Sequence, residues 1–104
     1  MANFCITKVK YSSDGQHIEW LAVREEFKDT VGRERLVQRA FVASLIRLGL
    51  ASFITRVWSA TEETYKKGAD VHVIEDHYLS TDRNNSTRDN LGSLPLIKSA
   101  LLAS

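Results

Sequence analysis

The sequence predicts an α+β domain in which one amphipathic helix packs on an antiparallel sheet, with elements in the order β-β-α-β-β-β. Two runs of β-forming residues flank an Asp-Gly pair, apolar residues then recur at helical spacing, and a period of two returns after a glycine. The 104 residues suffice for one domain. We predict a single domain over residues 1–95 and a C-terminal extension, 96–104, that forms a short helix or contacts a partner.

A β-hairpin is predicted at the start of the chain. Residues 4–11 and 17–24 are rich in β-branched and aromatic residues, and Asp14-Gly15 lies between them. Asp-Gly is a strong hairpin signal, because a tight turn of type I′ needs positive φ at both central positions. The charged stretch 25–31 is then a connection.

A central amphipathic helix is predicted over residues 32–48. Gly32 is a candidate N-cap, and Gly49 is a candidate left-handed residue after the last turn. Val42 and Ile46 widen the apolar stripe beyond what one sheet face needs, which indicates a second contact with the C-terminal segment or with another subunit. The stripe itself consists of Leu36, Val37, Ala40, Phe41, Leu45 and Leu48.

The remaining strands are predicted to form a short antiparallel meander. Residues 52–58 alternate like a strand, 59–69 form a polar loop, and 70–75 form a second strand. A turn then leads into a short strand over 78–81.

Composition limits the classes of function. The chain is 43% apolar and 26% charged, as in ordinary soluble domains, and its net charge of +1 is no electrostatic footprint for nucleic acid. Cys5 is the sole cysteine, so no intrachain disulfide can form. No signal-peptide pattern or bilayer-length apolar run is present, so we expect a cytoplasmic protein. A domain this small favours a surface groove or a subunit interface over a large buried active site.

The C-terminal part carries a distinctive ending. It reads Tyr-Leu-x-Thr, a polar turn, and Asp-Asn-Leu-x-x-Leu-Pro, in the residues Tyr78, Leu79, Thr81, Asp82, Asp89, Asn90, Leu91, Leu94 and Pro95. With this ending, the chain resembles a family of small uncharacterised bacterial and phage proteins that begin with a hairpin and carry a central helix ending in Gly. Ser80 departs from the pattern, since a basic residue is common there. The resemblance implies the fold outline and no catalytic residues.

The leading functional hypothesis is a non-enzymatic protein-interaction domain that forms a homodimer. Apolar residues near a chain terminus need a cover, and a symmetric dimer is the commonest one. Large apolar side chains would anchor the partner, and arginines at the rim would direct hydrogen bonds. The predicted partner-binding residues are Trp58, Arg35, Arg39, Leu101 and Leu102. The likeness to phage-borne proteins is compatible with modulation of a host protein.

Two alternatives stay open. A nucleic-acid-binding module would use the helix arginines, among them Arg35 and Arg39, together with Lys66 and Lys67 of the polar loop. A small-ligand binder or enzyme would use the polar turn from Tyr78 to Asn90. The ligand-binding residues would then be Tyr78, Asn90, Arg83 and Arg88. The same turn, over 82–95, is otherwise a structural clasp held by its own side chains.

Catalytic and metal chemistry find little support in the residue pattern. Cys5 lies inside a predicted strand, where a small buried hydrophobe is the usual role. His72 and Glu75 would fall on opposite faces of their predicted strand. We therefore assign no catalytic residue, no metal site and no cofactor.

Overall fold

A β-hairpin forms the middle of the main sheet. The computed structural model describes residues 2–13, 15, 17–28, 30–74, 78–81, 91 and 94–97. Strand β1 (Ala2–Tyr11) pairs antiparallel with β2 (Ile18–Glu25), which confirms the predicted hairpin. Its loop is longer than a two-residue turn, because the Ser12 N–H donates to the His17 carbonyl at 2.8 Å. Gly15 has a φ of 70°, and Asp14 lies outside the described residues.

The main sheet has five strands and is mixed. Its order is β3-β2-β1-β4-β5, with β3 (Arg35–Gln38), β4 (Ala51–Ser59) and β5 (Thr64–Asp70). β4 runs parallel to β1, whereas the other neighbours are antiparallel. The parallel pair follows from the helix between β3 and β4, which returns the chain so that β4 starts at the same end of the sheet as β3 and β1.

The helix begins later than the sequence pattern predicts. Helix α1 (Arg39–Arg47) has Gln38 as its N-cap, so Gly32 does not cap it. Leu36 and Val37 belong to β3, where they pair with β2. These residues fit helical spacing, but pairing with β2 also buries part of their side chains. The tertiary contact with β2 therefore outweighs the local preference for a helix.

The helix ends where the sequence predicts. Gly49 has a φ of 71°, a region that glycine enters without the Cβ penalty. Its N–H donates to the Ile46 carbonyl at 3.0 Å, and the Leu50 N–H donates to the Leu45 carbonyl at 3.0 Å. These two bonds form a Schellman motif, which satisfies carbonyls of the last turn.

The predicted polar loop 59–69 is largely strand. β5 pairs with β4 from Ser59 and Thr64 onward. Near Thr55 the register shifts, so that Gly68 and Ala69 face one residue of β4 in a β-bulge. The Thr55 hydroxyl accepts the free Ala69 N–H at 3.0 Å. Almost every β5 side chain is exposed, which explains why the sequence of this strand shows no alternation of apolar and polar residues.

One face of the sheet is covered by α1 and by a second, two-stranded sheet. β6 (His72–Ile74) and β7 (Tyr78–Ser80) form this small hairpin, which contacts α1. The core between the layers includes Ile6, Leu21, Val42, Leu79, Leu91 and Leu94. Residues on both sides of the predicted domain boundary at 95 are hydrogen-bonded to Val9 of β1. No helix in the described ranges is both long and apolar enough to cross a membrane.

Candidate functional site

The two faces of the five-stranded sheet present different chemistry. Alternation along the strands sends Phe4, Val23 and Phe53 toward α1, and sends Arg24 and Arg56 to the opposite face. We call the second face the open face, because none of the helices and strands in the described part of the chain packs on it. Each face carries one candidate site.

An apolar cleft of about 170 Å³ lies between α1 and the β2–β3 edge of the sheet. Phe4 and Phe53 form part of its wall, with ring centroids 5.3 Å apart in a stacked arrangement. The other apolar lining residues are Val23, Val37, Phe41, Val42 and Leu45. The cleft is therefore open to solvent yet lined almost wholly by carbon.

The apolar lining continues outward along α1. Phe41 and Leu48 are 56% and 60% exposed, and with Leu45 they follow the i, i+4, i+7 spacing of one helix face. Val42 and Ala43 are the helix residues buried against the sheet. Phe41 and Leu48 of the predicted stripe thus point outward, whereas Leu45 packs partly against the core. Val42, which the sequence pattern made part of the extra apolar width, is fully buried.

We use the name apolar surface for the cleft together with the exposed side chains of Phe41, Leu48 and Leu50. Leu50 is also more than half exposed and is held beside Leu45 by the backbone bond of the helix end. Isolated exposed leucines are common, whereas a cleft bordered by several large exposed apolar side chains is a feature that many interaction sites share.

Two opposite charges lie at the rim of the apolar cleft. Arg35 of β3 is paired with Val23 of β2, so Glu25, two residues further along β2, is its diagonal neighbour on the same face. Both line the cleft and both are exposed. None of the ion pairs or side-chain hydrogen bonds between described residues involves either of them.

The open face carries a groove of about 460 Å³, which we call the open-face groove. It lies between the segment after β2 and the β4–β5 hairpin. Phe27 and Trp58 line it and are 51% and 50% exposed. Trp58 meets Tyr65 edge to face, with centroids 5.0 Å apart, and the Arg24 guanidinium carbon lies 5.1 Å from the centroid of the Tyr65 ring.

An ion pair fixes the floor of the open-face groove. Arg56 donates from Nε to Oε2 of Glu26 at 2.9 Å and from a terminal nitrogen to Oε1 at 2.8 Å. Its other terminal nitrogen donates to the Tyr65 carbonyl at 2.9 Å. The bonds to Glu26 raise the pKa of Arg56, so its guanidinium stays charged. The segment after β2 is thereby tied to both strands of the β4–β5 hairpin.

Cys5 is buried beside this ion pair. Desolvation by burial, and then the negative charge of Glu26, raise the pKa of its thiol to about 11. The thiol is therefore protonated at neutral pH, whereas a nucleophilic cysteine needs a lowered pKa. The structure confirms the predicted role of Cys5 as a small buried side chain.

The residues predicted from sequence to bind a partner do not share one surface. Arg35 lines the apolar cleft, Trp58 lines the open-face groove on the other side of the sheet, and Arg39 is the half-buried first residue of α1. Tyr78 stacks on His17, with ring centroids 5.3 Å apart. Arg83, Arg88, Asn90, Leu101 and Leu102 lie outside the described residues.

Sequence reasoning missed most of the open-face groove. Glu26 was assigned to a solvated connection, and Arg56 lies 30 positions further along the chain. The one available signal was the period of two, which places Arg24 of β2 and Glu26, just after β2, on one side of the sheet, and Arg56 and Trp58 on one face of β4. Lys66, which the nucleic-acid alternative would use, forms an ion pair with Glu62.

Comparison with known proteins supplies no further guide to the site. Among the described residues, His, Cys, Asp and Glu side chains nowhere gather in a group of three that could hold a metal ion. Comparisons of the chain with protein-family models, with curated proteins and with solved structures found no match. The likeness to small bacterial and phage proteins stays a prediction. The apolar surface and the open-face groove are therefore the features that point to a function.

Proposed function

We propose that the protein is a non-enzymatic interaction domain that pairs with a second copy of itself through the apolar surface. The exposed Phe41 and Leu48 beside an open apolar cleft are the observation that carries this proposal. Cys5 is a buried free thiol, which is compatible with a reducing cytoplasm as the place where the dimer acts.

Burial of the apolar surface supplies the driving force. Phe41, Leu48 and Leu50 are each more than half exposed in the monomer. Full burial of a side chain of this size contributes about 1.5–3 kcal/mol, and part of this is available when a half-exposed side chain is covered. The cleft gives a large side chain from the other copy a place to insert, as at the centre of stable interfaces.

The charged rim favours a second copy over an unrelated partner. In a two-fold symmetric contact, the same patch faces itself, so the patch must be complementary to itself. Arg35 and Glu25 lie side by side at the cleft and form no ion pair within the described part of the chain. A two-fold axis that passes between the two side chains brings Arg35 of one copy opposite Glu25 of the other, twice per dimer.

Sedimentation equilibrium over a range of concentrations tests the proposal. We expect the wild-type chain to shift from monomer to dimer in the micromolar range. Phe41→Gln and Leu48→Gln, which keep helix propensity, should each weaken the dimer at least ~tenfold. Val57→Thr is the control, since Val57 is an exposed apolar residue of β4 that does not line the cleft. A wild-type monomer at every concentration, or equal weakening by the control, would contradict the proposal.

A further inference from the structure

The open-face groove has features that the dimer does not use. It lies on the opposite side of the sheet from the apolar cleft, and three cationic side chains but only one carboxylate line it: Arg24, Lys28, Arg56 and Glu63. Phe27 and Trp58 expose half of their surface into solvent at the same place. A volume of about 460 Å³ lies within the range of small-ligand sites.

We propose that the open-face groove binds a nucleotide unit, with its base stacked on an exposed aromatic ring and its phosphate held by the guanidinium of Arg56. Every base has a flat π-face, and stacking on aromatic side chains is the general mode of single-strand binding. An arginine fork is suited to phosphate oxygens. A free nucleotide and a single-stranded nucleic acid present the same chemistry.

Arg56 retains donors for an anion. Its Nε–H and one N–H on each terminal nitrogen are bonded to Glu26 or to the Tyr65 carbonyl. Each terminal nitrogen therefore keeps a second N–H that no described residue accepts. The existing bonds also hold the fork in one orientation, so less entropy is lost when an anion binds.

The rings are arranged as a stacking platform. Tyr65 supports Trp58 edge to face and lies under the Arg24 guanidinium, which itself donates to the Gly32 carbonyl at 2.8 Å. Trp58 is therefore supported by Tyr65 on one side, while half of its surface remains exposed for stacking. Because Glu26 and Glu34 offset much of the positive charge, we expect stacking to contribute more than charge.

Fluorescence anisotropy with a labelled short oligothymidylate at low salt tests this site. We expect saturable binding that Trp58→Ala and Phe27→Ala each weaken at least ~tenfold. Trp58→Phe, which keeps an aromatic ring, should retain most of the binding. The dissociation constant should depend only weakly on salt concentration. Val57→Thr is the matched control, since Val57 is exposed to a similar degree, points to the opposite face of β4 from Trp58, and lines neither the open-face groove nor the apolar cleft. It should leave this binding unchanged, and because the groove and the cleft share no lining residue, the two proposals fail separately.

Competition experiments identify the source of the nucleotide unit. Displacement by thymidine monophosphate assigns the site to a free nucleotide, and binding of the strand without such displacement assigns it to single-stranded nucleic acid; either result supports the proposal. If polyphosphate displaces the labelled strand as effectively as the unlabelled strand does, the proposal is overturned. Stacking of a base on Trp58 or Phe27 would then contribute nothing to binding. Absence of binding by both the strand and the monophosphate would overturn it as well.

Discussion

At the scale of single residues, the ion pair between Glu26 and Arg56 connects parts of the chain that are distant in sequence. Both side chains are mostly buried, and the fork is bidentate. In such a pair, removal of one partner leaves a charge that water cannot fully solvate. The stability of the open face therefore depends on the shape of this contact as well as on its charge.

Arg56→Lys should lower the free energy of unfolding by about 1–3 kcal/mol, because an ammonium group keeps the charge but cannot reproduce the bidentate fork. Urea denaturation followed by circular dichroism measures the change. Lys67→Arg serves as the control, since Lys67 faces Arg56 across the strand pair and is exposed. Equal stability of Arg56→Lys and wild type would show that the fork geometry is unimportant.

Cys5 should make the protein less stable in alkali. The thiol pKa is about 11 in the folded chain and about 9 when the thiol is solvated, so between these values the unfolded state binds fewer protons than the folded state. The contribution is complete below pH 9 and is lost as the pH rises toward 11, by an amount on the order of 2 kcal/mol.

Urea unfolding of wild type and Cys5→Ala from pH 8 to pH 11 tests this expectation. Other groups titrate in this range in both proteins, so the difference between the two proteins is the quantity to follow. We expect the stability advantage of the wild type to shrink as the pH rises. Parallel curves for the two proteins would show that the Cys5 thiol has an ordinary pKa.

Cys5 and the Glu26–Arg56 pair differ in whether their roles could be predicted from the sequence. A cysteine inside a β-forming run is buried by default, and that prediction for Cys5 is confirmed. No local pattern links Glu26 to Arg56, because their contact exists only once β2 and β4 take positions on either side of β1. Side-chain pairs across a sheet depend on strand order, which the sequence alone did not supply.

At the scale of elements, the β-bulge in β5 depends on a missing side chain. A Cβ built on Gly68 would lie 2.2 Å from the Thr55 hydroxyl oxygen and 3.0 Å from the Thr55 carbonyl oxygen. Gly68 therefore lets the two strands approach closely. The close approach also positions the Thr55 hydroxyl to accept the Ala69 N–H.

Gly68→Ala should lower the free energy of unfolding by about 1–3 kcal/mol, because strand separation or a side-chain shift is needed to fit the methyl group. Thermal and urea unfolding measure the cost. Thr55→Ala in the same chain should recover part of it, since the nearest atom is then gone, whereas Thr55→Ser keeps that oxygen and should recover none. A fully stable Gly68→Ala protein would mean that the strands lie further apart than described.

Element boundaries were predictable where a backbone requirement fixes them. Gly49 ends α1 because the left-handed position suits glycine, and this signal is local. The predicted start of α1 lay about two turns too early, because residues 35–38 are compatible both with helical spacing of apolar residues and with a strand. β5 was missed because a polar, exposed strand at the edge of a sheet carries no apolar alternation.

At the scale of the whole molecule, the α+β class and the rough order β-β-α-β-β-β followed from the sequence, although β3 and β5 were not among the predicted strands. A turn signal, a helical stripe and later alternations suffice for that level of description. The predicted antiparallel sheet is wrong at one pair: β1 and β4 run parallel, and this pairing joins strands separated by β2, β3 and the helix. The outward orientation of Phe41 also depends on that arrangement, since it sets which side of α1 meets the sheet.

A charge exchange at the rim of the apolar cleft tests the self-complementary dimer most directly. In the symmetric contact, Glu25→Arg or Arg35→Glu alone places like charges opposite each other twice, and like-charge contacts at an interface are costly. The double exchange restores two opposite pairs. Urea unfolding of each variant provides the control, since both side chains are exposed and their replacement should change the folding stability little.

Dimer dissociation constants of these four proteins, measured by sedimentation equilibrium, decide the matter. A self-complementary dimer predicts that each single exchange weakens the dimer at least ~tenfold and that the double exchange returns the dissociation constant close to the wild-type value. Two weakening effects that simply add in the double variant, or a dimer indifferent to all three changes, would contradict it.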